Sequence, residues 1–362
     1  MTEKDAAIAF STFPSIGPQR FKLLVQYFGG AQKAWHAPIK EYFEIGFSQR
    51  LATSFEKHRN TFNLDQYKKL LEKNEISVCL LGDRDYPSRL ATIEDTPFLL
   101  YIKGQESLQD LAEVSVAVIG TRKMTSYGKD VTERLVFDLV SSGVTVISGL
   151  ALGIDGMAHK AAIDAGGKTI AVLGNGLDTV YPPAHTNLAK RIVDGNSGLL
   201  ISEFPLGYPA MPFNFPVRNR IVSGLSLGVL VIEGTEKSGT LLTCANAASQ
   251  GRDVFAVPGP ITSQTSKAPN ILLKNGAKLV EKAQDILDEL EIKAKSNQAK
   301  SRKVLKYDPE EEKILVVLAN EGLDIDSLVR ILDMPISQTL SLLTLLELKG
   351  MVKNTGGIYR KA

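Results

Sequence analysis

Hydrophobic and polar positions follow two different patterns along the chain. Up to about residue 62, large apolar residues such as Phe10 and Leu24 recur at helical spacing, with breaks at Pro14 and Gly17. An apolar residue every three or four positions is typical of amphipathic helices, and Gly or Pro between such stretches marks turns. The pattern therefore predicts a small module of short helices over residues 1–62.

From about residue 75 the pattern changes to short apolar runs with helical stretches between them. The runs are rich in Val and Ile and do not alternate, which is typical of strands covered on both faces in a parallel sheet. Repeated strand–helix units predict a doubly wound α/β core over residues 63–290. The apolar runs occupy residues 76–81, 114–119, 144–147, 169–173, 198–201, 229–232 and 254–257.

Residues 308–362 read as three helices followed by a short hairpin. This is the order of a winged helix, whose third helix enters the groove in DNA-binding examples. Here the segment that would form that helix has polar residues such as Gln338, and no Lys or Arg precedes Lys349. The unit also carries a net charge of −3. These features favour a protein-binding or regulatory role over base readout, with DNA contact as the alternative.

A basic run lies between the core and this last unit. Residues 291–307 hold six Lys or Arg residues and one acidic residue, and few apolar ones. Such a composition predicts a linker. Two interpretations stay open: a solvated tether without contacts, and a tether whose positive charges attract DNA phosphates in a salt-dependent way.

Composition excludes several classes of protein. A length of 362 residues with 44% hydrophobic and 23% charged content is that of a folded protein of two or three domains. No apolar stretch is long enough for a membrane span, the amino-terminal residues make a poor signal peptide, and two cysteines are too few for a disulfide framework. We therefore expect a cytoplasmic protein without membrane contact. The net charge of +2 alone predicts no nucleic-acid binding.

Candidate chemistry is concentrated in loops that follow the predicted strands. If the strands are parallel, these loops meet at the carboxyl edge of the sheet, where such sheets bind ligands. Glycines there let the backbone approach a ligand, and helix amino termini offer N–H groups to an anion. The residues that predict a phosphate-binding site are Gly120, Arg122, Lys123, Lys237, Ser238, Gly239 and Thr240.

The segment 215–221 places two arginines at the predicted start of a helix, where the helix dipole favours anions. One interpretation is a pair of surface ion pairs. The other is that Arg218 and Arg220 bind phosphates bidentately, while Asn219 contacts a base edge or fixes a loop.

Catalytic candidates are few. Asp155 and His159 are four residues apart on a predicted helix, but no nucleophile or third partner accompanies them, so a structural histidine is the better interpretation. The other histidines are isolated and predict no metal site. Residues 167–169 resemble the end of a P-loop, but the first glycine of that motif is missing. We expect no cofactor.

Seven motifs, in order along the chain, together resemble the DprA/Smf family of DNA-processing proteins. The resemblance is dense from about residue 75 to 280 and looser in the flanking units. The motifs are IGTRKMTSYG (119–128), SGLALGIDGMAH (148–159), TIAVLGNGLDTVYP (169–182), SEFPLG (202–207), FPVRNRIVSGLS (215–226), EGTEKSGTLLT (233–243) and GRDVFAVPG (251–259).

The resemblance implies a fold, a function and a site. A member of this family would have a Rossmann-like core, with a small SAM-like or helix-hairpin-helix-like domain before it and a winged helix after it. It would bind single-stranded DNA more strongly than double-stranded DNA, form homodimers, and load the recombinase RecA during natural transformation, without catalysing a reaction. The implied phosphate pocket comprises Gly120, Arg122, Lys123, Arg218, Asn219, Arg220, Ser238, Gly239 and Thr240.

A second class of function is a nucleotide-processing enzyme. The core also resembles phosphoribohydrolases of the lysine-decarboxylase-like group, whose Gly-Thr-x-x-Glu turn supplies a catalytic glutamate. The corresponding residue here is Thr243, which removes the obvious general acid or base. The sequence therefore favours a non-catalytic binder and keeps this enzyme as the alternative.

Overall fold

The computed structural model describes residues 1–292, 309–318, 322–332, 334–348, 351–355 and 357–361. By its contacts the chain divides into two units, residues 1–296 and 297–362. The predicted linker at 291–307 lies, apart from its first two residues, outside the described residues. Within the described ranges, no helix combines the length and the apolar content that crossing a membrane requires.

Short helices form the amino-terminal part, as the helical spacing predicts. Their shared core is aromatic: the ring of Phe10 stacks on Phe55 with centroids 5.5 Å apart and meets Trp35 edge-on at 5.1 Å. Edge-on and offset contacts are the arrangements that aromatic rings prefer. The helices are α1 (Glu3–Ser11), α2 (Pro18–Phe28), α3 (Ala31–His36), α4 (Glu41–Glu44), α5 (Gln49–Thr61) and α6 (Leu64–Lys73).

This helical part packs on the sheet that follows it. The ring of Phe21 stacks on Phe98 at a centroid distance of 3.9 Å, and the hydroxyls of Ser11 and Tyr101 share a hydrogen bond of 2.5 Å. Both contacts involve residues at or next to one strand of the sheet. They join the helices to the core within the first unit.

In residues 1–292, nine strands form one sheet in the order β1-β2-β6-β5-β4-β3-β7-β8-β9. In this order, every neighbouring pair from β6 across the sheet to β9 is parallel, which confirms the mostly parallel α/β core. The strands are β1 (Ile76–Leu80), β2 (Leu99–Lys103), β3 (Ser115–Ile119), β4 (Thr145–Ser148), β5 (Thr169–Val172), β6 (Gly198–Ser202), β7 (Gly228–Val231), β8 (Asp253–Ala256) and β9 (Lys278–Leu279).

One edge of the sheet departs from the parallel arrangement expected of the apolar runs. The run at 76–81 forms β1, which pairs antiparallel with β2, and β2 pairs antiparallel with β6. Strand β2 is not among the predicted strands, although an apolar run follows Pro97. Apolar runs report burial and not strand direction, so they could not distinguish this edge from the rest.

Helices cover both faces of the sheet. Along β3, Val116 and Val118 pack with α9 and α10, whereas Ala117 and Ile119 pack with α12 and α13 on the other face. Because successive side chains of a strand point to opposite faces, both faces are apolar and the run shows no alternation. The helices are α7 (Ser88–Ala91), α8 (Leu108–Glu113), α9 (Ser126–Ser141), α10 (Ile154–Asp164), α11 (Thr186–Asp194), α12 (Asn214–Leu225), α13 (Thr240–Ser249), α14 (Lys267–Lys274) and α15 (Ala283–Glu289).

The strand order creates a switch point beside β3. The chain runs outward from β3 through β4, β5 and β6, and then returns to place β7 on the other side of β3. The loops after β3 and β7 therefore lead away from each other and leave a crevice at the carboxyl edge of the sheet. Open α/β sheets bind their ligands at such a point.

The second unit has the helix and strand order of a winged helix, as predicted. Its helices bury apolar residues such as Ile314, Leu328 and Leu343 in a small common core. Gly357 has φ +86° in the turn between the last two strands, a conformation that favours glycine. The elements are α16 (Pro309–Val317), β10 (Leu323–Asp324), α17 (Ile325–Leu332), α18 (Ile336–Leu348), β11 (Val352–Thr355) and β12 (Ile358–Lys361).

Candidate functional site

A cleft of about 460 Å³ opens at the switch point between β3 and β7. This volume lies within the usual range of small-ligand sites. Five loops contribute to its wall, those after β3, β4, β5, β6 and β7, together with residues of α10, α12 and α13. The lining includes Gly120, Arg122, Gly149, Asp155, Tyr181, Phe215, Arg218, Asn219, Ser238, Gly239, Thr240 and Thr243.

Most of the residues predicted for a phosphate site line this cleft, although more than one hundred positions of sequence separate the first from the last. Three predicted residues do not line it: Lys123, Lys237 and Arg220. Lys123 and Lys237 are exposed, and each belongs to a loop that also contributes lining residues. A ligand long enough to extend out of the cleft along these loops would pass near them, whereas a ligand confined to the cleft would not.

Arg218 forms the floor of the cleft. Its side chain is only 4% exposed, and its Nη1 donates hydrogen bonds to the carbonyl oxygens of Val172 and Gly149, the latter at 2.6 Å. Gly149 is required at this point, because a Cβ there would lie 2.5 Å from the Arg218 Nη2. Burial lowers the pKa of Arg218 to about 10, and the nearby Asp155 carboxylate opposes that shift. The guanidinium is therefore still charged at neutral pH.

Asp155, which also lines the cleft, provides the matching negative charge. Its Oδ2 accepts a hydrogen bond of 3.1 Å from the Gly149 N–H. Burial raises the pKa of Asp155, while the charge of Arg218 and hydrogen bonds from backbone N–H groups act in the opposite direction. Gly149 is thus held from both sides, its N–H by Asp155 and its carbonyl by Arg218.

The prediction of a double arginine clamp is wrong for Arg220. Helix α12 begins at Asn214, so both arginines lie in its second turn and not at its start. Residues two apart on a helix point about 200° apart, so the two side chains leave opposite sides of α12. Arg220 is bound by both carboxylate oxygens of Glu203, at 2.8 and 2.6 Å, with about one-tenth of each side chain exposed. Arg220 thus forms an ion pair, but one that is largely buried and not on the surface.

Arg122 and Phe215 form a cationic and aromatic wall. The exposed Arg122 guanidinium lies 5.4 Å from the centroid of the Phe215 ring, and the Arg218 guanidinium lies 6.0 Å from it. Tyr181 is 44% exposed, and its ring centroid is 5.6 Å from that of Phe215. Cations near an aromatic face are attracted by the ring quadrupole. Neither aromatic residue is among the predicted site residues, although each lies inside a motif quoted above.

The amino terminus of α13 lies on the β7 side of the cleft. Its N-cap is Gly239, and its first turn contains no acidic residue. The hydroxyl of Ser238 accepts a hydrogen bond of 3.2 Å from the Thr240 N–H. A helix amino terminus carries partial positive charge and directs N–H groups outward, which is favourable for a phosphate.

The remaining polar candidates are structural. His159 is fully buried, with its Nδ1 2.7 Å from the Thr169 hydroxyl, and it does not line the cleft. Burial lowers the pKa of His159 to about 3, so it is neutral. Among the residues that the structure describes, no group of three His, Cys, Asp or Glu side chains is placed to hold a metal ion.

Two family models match the chain. Residues 77–291 match "DNA recombination-mediator protein A", and residues 296–357 match "DprA winged helix domain". The chain is 40% identical to Protein Smf of Escherichia coli K12 over 287 residues, which are 76% of this chain and 74% of the relative. It is 45% identical to DNA processing protein DprA of Streptococcus pneumoniae R6 over 209 residues, covering 58% of this chain and 72% of that protein.

Solved structures give the same result. The X-ray structure of DprA from Streptococcus pneumoniae matches with a TM-score of 0.67 and 34% identity, covering 80% of this chain and 98% of that chain. A structure of DprA from Helicobacter pylori, which concerns the single-stranded DNA binding mode of that protein, matches with a TM-score of 0.53 and 29% identity. It covers 60% of this chain and 96% of that one.

Proposed function

The chain belongs to the DNA recombination-mediator protein A (DprA/Smf) family, and we propose that it binds single-stranded DNA in the cleft between β3 and β7. One observation carries this proposal: Arg122, Arg218, Phe215 and the amino terminus of α13 converge on the same cleft. The single-stranded DNA binding of the Helicobacter pylori relative supports it.

The cleft offers different partners to the two parts of a nucleotide. A phosphate would lie between the Arg122 guanidinium and the amino terminus of α13, while Arg218 contributes positive potential from the floor without leaving its two carbonyl partners. A base would stack beside Phe215 and Tyr181. Stacking accepts any base, so this binding tolerates many sequences.

Preference for single strands follows from the aromatic wall. In a duplex the faces of the bases are stacked on their neighbours, so Phe215 and Tyr181 have no free base to contact. Charge alone attracts both kinds of DNA. We therefore propose that duplex binding is weaker and depends on Lys123, Lys237 and Arg122 at the exposed rim.

Further parts of the proposal rest on the family. We propose that the protein acts in the cytoplasm as a homodimer, and that it transfers single-stranded DNA to RecA during natural transformation. The winged helix at 308–362 would contact a protein partner, since the unit has a net charge of −3. Deleting this unit should leave oligonucleotide binding within about twofold if its role is in RecA loading and not in charge-driven phosphate contact.

The phosphoribohydrolase alternative has less support. Thr243 lines the cleft and is buried, but it has no carboxylate to act as general acid or base. Asp155, the carboxylate that does line the cleft, is held by Gly149 beside Arg218. Incubation with nucleoside monophosphates tests this directly, since release of free base would favour the enzyme.

A salt titration of oligonucleotide binding tests the proposed site. Arg122→Ala should weaken binding to oligo-dT and lower the slope of log affinity against log salt by about 0.7, the value of one phosphate contact on a single strand. Lys168→Ala is the charge-matched control, because Lys168 precedes β5 at the opposite edge of the sheet and pairs with Glu106. Equal affinity of the two variants at every salt concentration would contradict the site.

A further inference from the structure

Glu233 is a buried carboxylate that does not line the cleft and yet joins the loops around it. It lies two residues after β7, and only 2% of it is exposed. Its Oε2 accepts from the Thr125 N–H at 2.9 Å, and its Oε1 accepts from the hydroxyls of Thr125 and Thr265 at 2.7 and 2.9 Å. One side chain thus connects the loop after β3 to the loop that precedes α14.

The backbone around Glu233 makes the same connections. Its carbonyl oxygen accepts from the Thr121 N–H at 2.8 Å, and the next residue, Gly234, donates to the Thr265 carbonyl at 2.6 Å. The Gly234 carbonyl in turn accepts from the Ala268 N–H at 2.9 Å. Side chain and backbone therefore fix residues on both sides of Arg122, at positions 121 and 125.

The surrounding sequence leaves space for this carboxylate. At Gly128, in the first turn of α9, a Cβ would lie 2.1 Å from the Glu233 Oε2. The hydroxyl of Thr125 donates to Glu233 and also accepts from the Gly128 N–H at 3.1 Å, as the N-cap of α9. The carboxylate thus lies at the amino terminus of α9, a position that favours negative charge.

We propose that Glu233 is a positioning residue that holds the Gly120–Lys123 loop in its binding conformation. It acts by accepting hydrogen bonds and not by its charge, because a negative charge behind a phosphate-binding loop opposes phosphate binding. Its effect on affinity rests on the proposed function of the cleft. Its effect on the loop does not, and can be measured without DNA.

The amide variant distinguishes a role in hydrogen bonding from a role through charge. Glu233→Gln keeps an oxygen for the Thr125 N–H, and its amide can donate to the two threonine hydroxyls, which can reverse their direction because a hydroxyl both donates and accepts. Glu233→Ala removes every one of these bonds. If the hydrogen bonds hold the loop, the Gln variant should resemble the wild type. If the negative charge holds it, the Gln variant should resemble the Ala variant.

Loop mobility is the first measurement. A fluorophore is attached to the full chain at Lys123→Cys, an exposed position, while Cys79 and Cys244 are buried. Glu233→Ala should increase the fast local motion seen in time-resolved anisotropy, and Glu233→Gln should not. Glu236→Ala is the matched control, since it removes the same group from an exposed position three residues further on. Unchanged probe motion in Glu233→Ala would overturn the proposal.

Oligonucleotide affinity is the second measurement. Glu233→Ala should bind oligo-dT about 3- to 10-fold more weakly, the effect of ordering one side chain on binding, and Glu233→Gln should recover wild-type affinity. A Gln variant as weak as the Ala variant would overturn the geometric explanation. If the wild type itself does not bind oligo-dT, the proposed function fails while the anisotropy result still decides the role of Glu233. If Glu233→Ala does not fold, Thr265→Val replaces it. This variant removes one of the hydrogen bonds to Glu233, together with the bond of 2.9 Å between the Thr265 and Ser263 hydroxyls, and a smaller rise in probe motion is expected.

Discussion

Gly149→Ala tests the floor of the cleft, since this substitution adds one carbon at the point where Arg218 is held. The new Cβ would lie 2.5 Å from Nη2 and 2.6 Å from Cζ and Nη1 of the guanidinium. A flexible side chain often moves away from such a contact. Arg218 is not free to do so, because it is 4% exposed and its Nη1 is bonded to the carbonyls of Gly149 and Val172.

The expected loss of stability follows from those bonds. Moving the guanidinium breaks two hydrogen bonds from a charged donor, each of which contributes about 1.5–3 kcal/mol. Since the displaced guanidinium can reach water in the cleft, we expect a loss of stability of about 3 kcal/mol, near the lower end of the summed contribution of the two bonds. The free energy of unfolding, measured by urea denaturation with circular dichroism, should fall by this amount.

Gly17→Ala is the matched control for this experiment. A Cβ at Gly17 meets no atom within 4 Å, and its φ of −85° suits any residue. That variant should lose about 1 kcal/mol or less, the typical cost of an N-cap substitution. If Gly149→Ala is as stable as Gly17→Ala, Arg218 does not lie where the structure places it and the reasoning about the floor fails.

Three further predictions concern stability and binding. Arg220→Met should leave oligo-dT affinity within about twofold, since Arg220 is outside the cleft, yet destabilise the fold by about 1–3 kcal/mol because Glu203 loses its partner; a large loss of affinity in a filter-binding assay would restore the double clamp. Gly128→Ala should lower the unfolding free energy by about 2–4 kcal/mol by displacing the Glu233 carboxylate, and a neutral result in urea denaturation would contradict the described packing. The pKa of His159 is about 3 in the folded protein, against 6.5 in the unfolded chain. Because the unfolded chain binds a proton here below pH 6.5 and the folded protein does not, the fold is fully stable above pH 6.5 and loses stability as the pH falls. The wild type should therefore lose about 1.4 kcal/mol more than His159→Gln on going from about pH 7.5 to about pH 5.5, and equal losses would refute this.

Much of the fold could be predicted because hydrophobic spacing reports burial directly. The runs that became β3 through β8 are apolar on both faces, as expected of strands covered on both sides of a sheet. The direction of a strand relative to its neighbour could not be predicted in this way. β1 and β2 pair antiparallel through contacts between residues such as Ile76 and Lys103, and nothing local in either segment records that partner.

The candidate site was predicted in part for the same reason. Glycine loops after parallel strands meet at one edge, so Gly120 and Ser238 could be placed together without coordinates. The role of Arg220 could not be predicted, because it depended on where α12 begins. With a start at Asn214, Arg218 lies in the cleft and Arg220 pairs with Glu203. Phe215 was missed because an aromatic residue in a motif looks the same whether it packs in the core or faces a ligand.

Photocrosslinking can show whether a single strand binds beside Phe215 and Tyr181. Oligo-dT containing one 5-iodouracil is bound to the full chain, irradiated, and the modified peptide is identified by mass spectrometry, since this base reacts with an aromatic side chain stacked on it. We expect modification at Phe215 or Tyr181, which lie together in the cleft wall, and its loss when excess unmodified oligo-dT competes. Crosslinks confined to the amino-terminal helices or to the winged helix would place the strand elsewhere and contradict it.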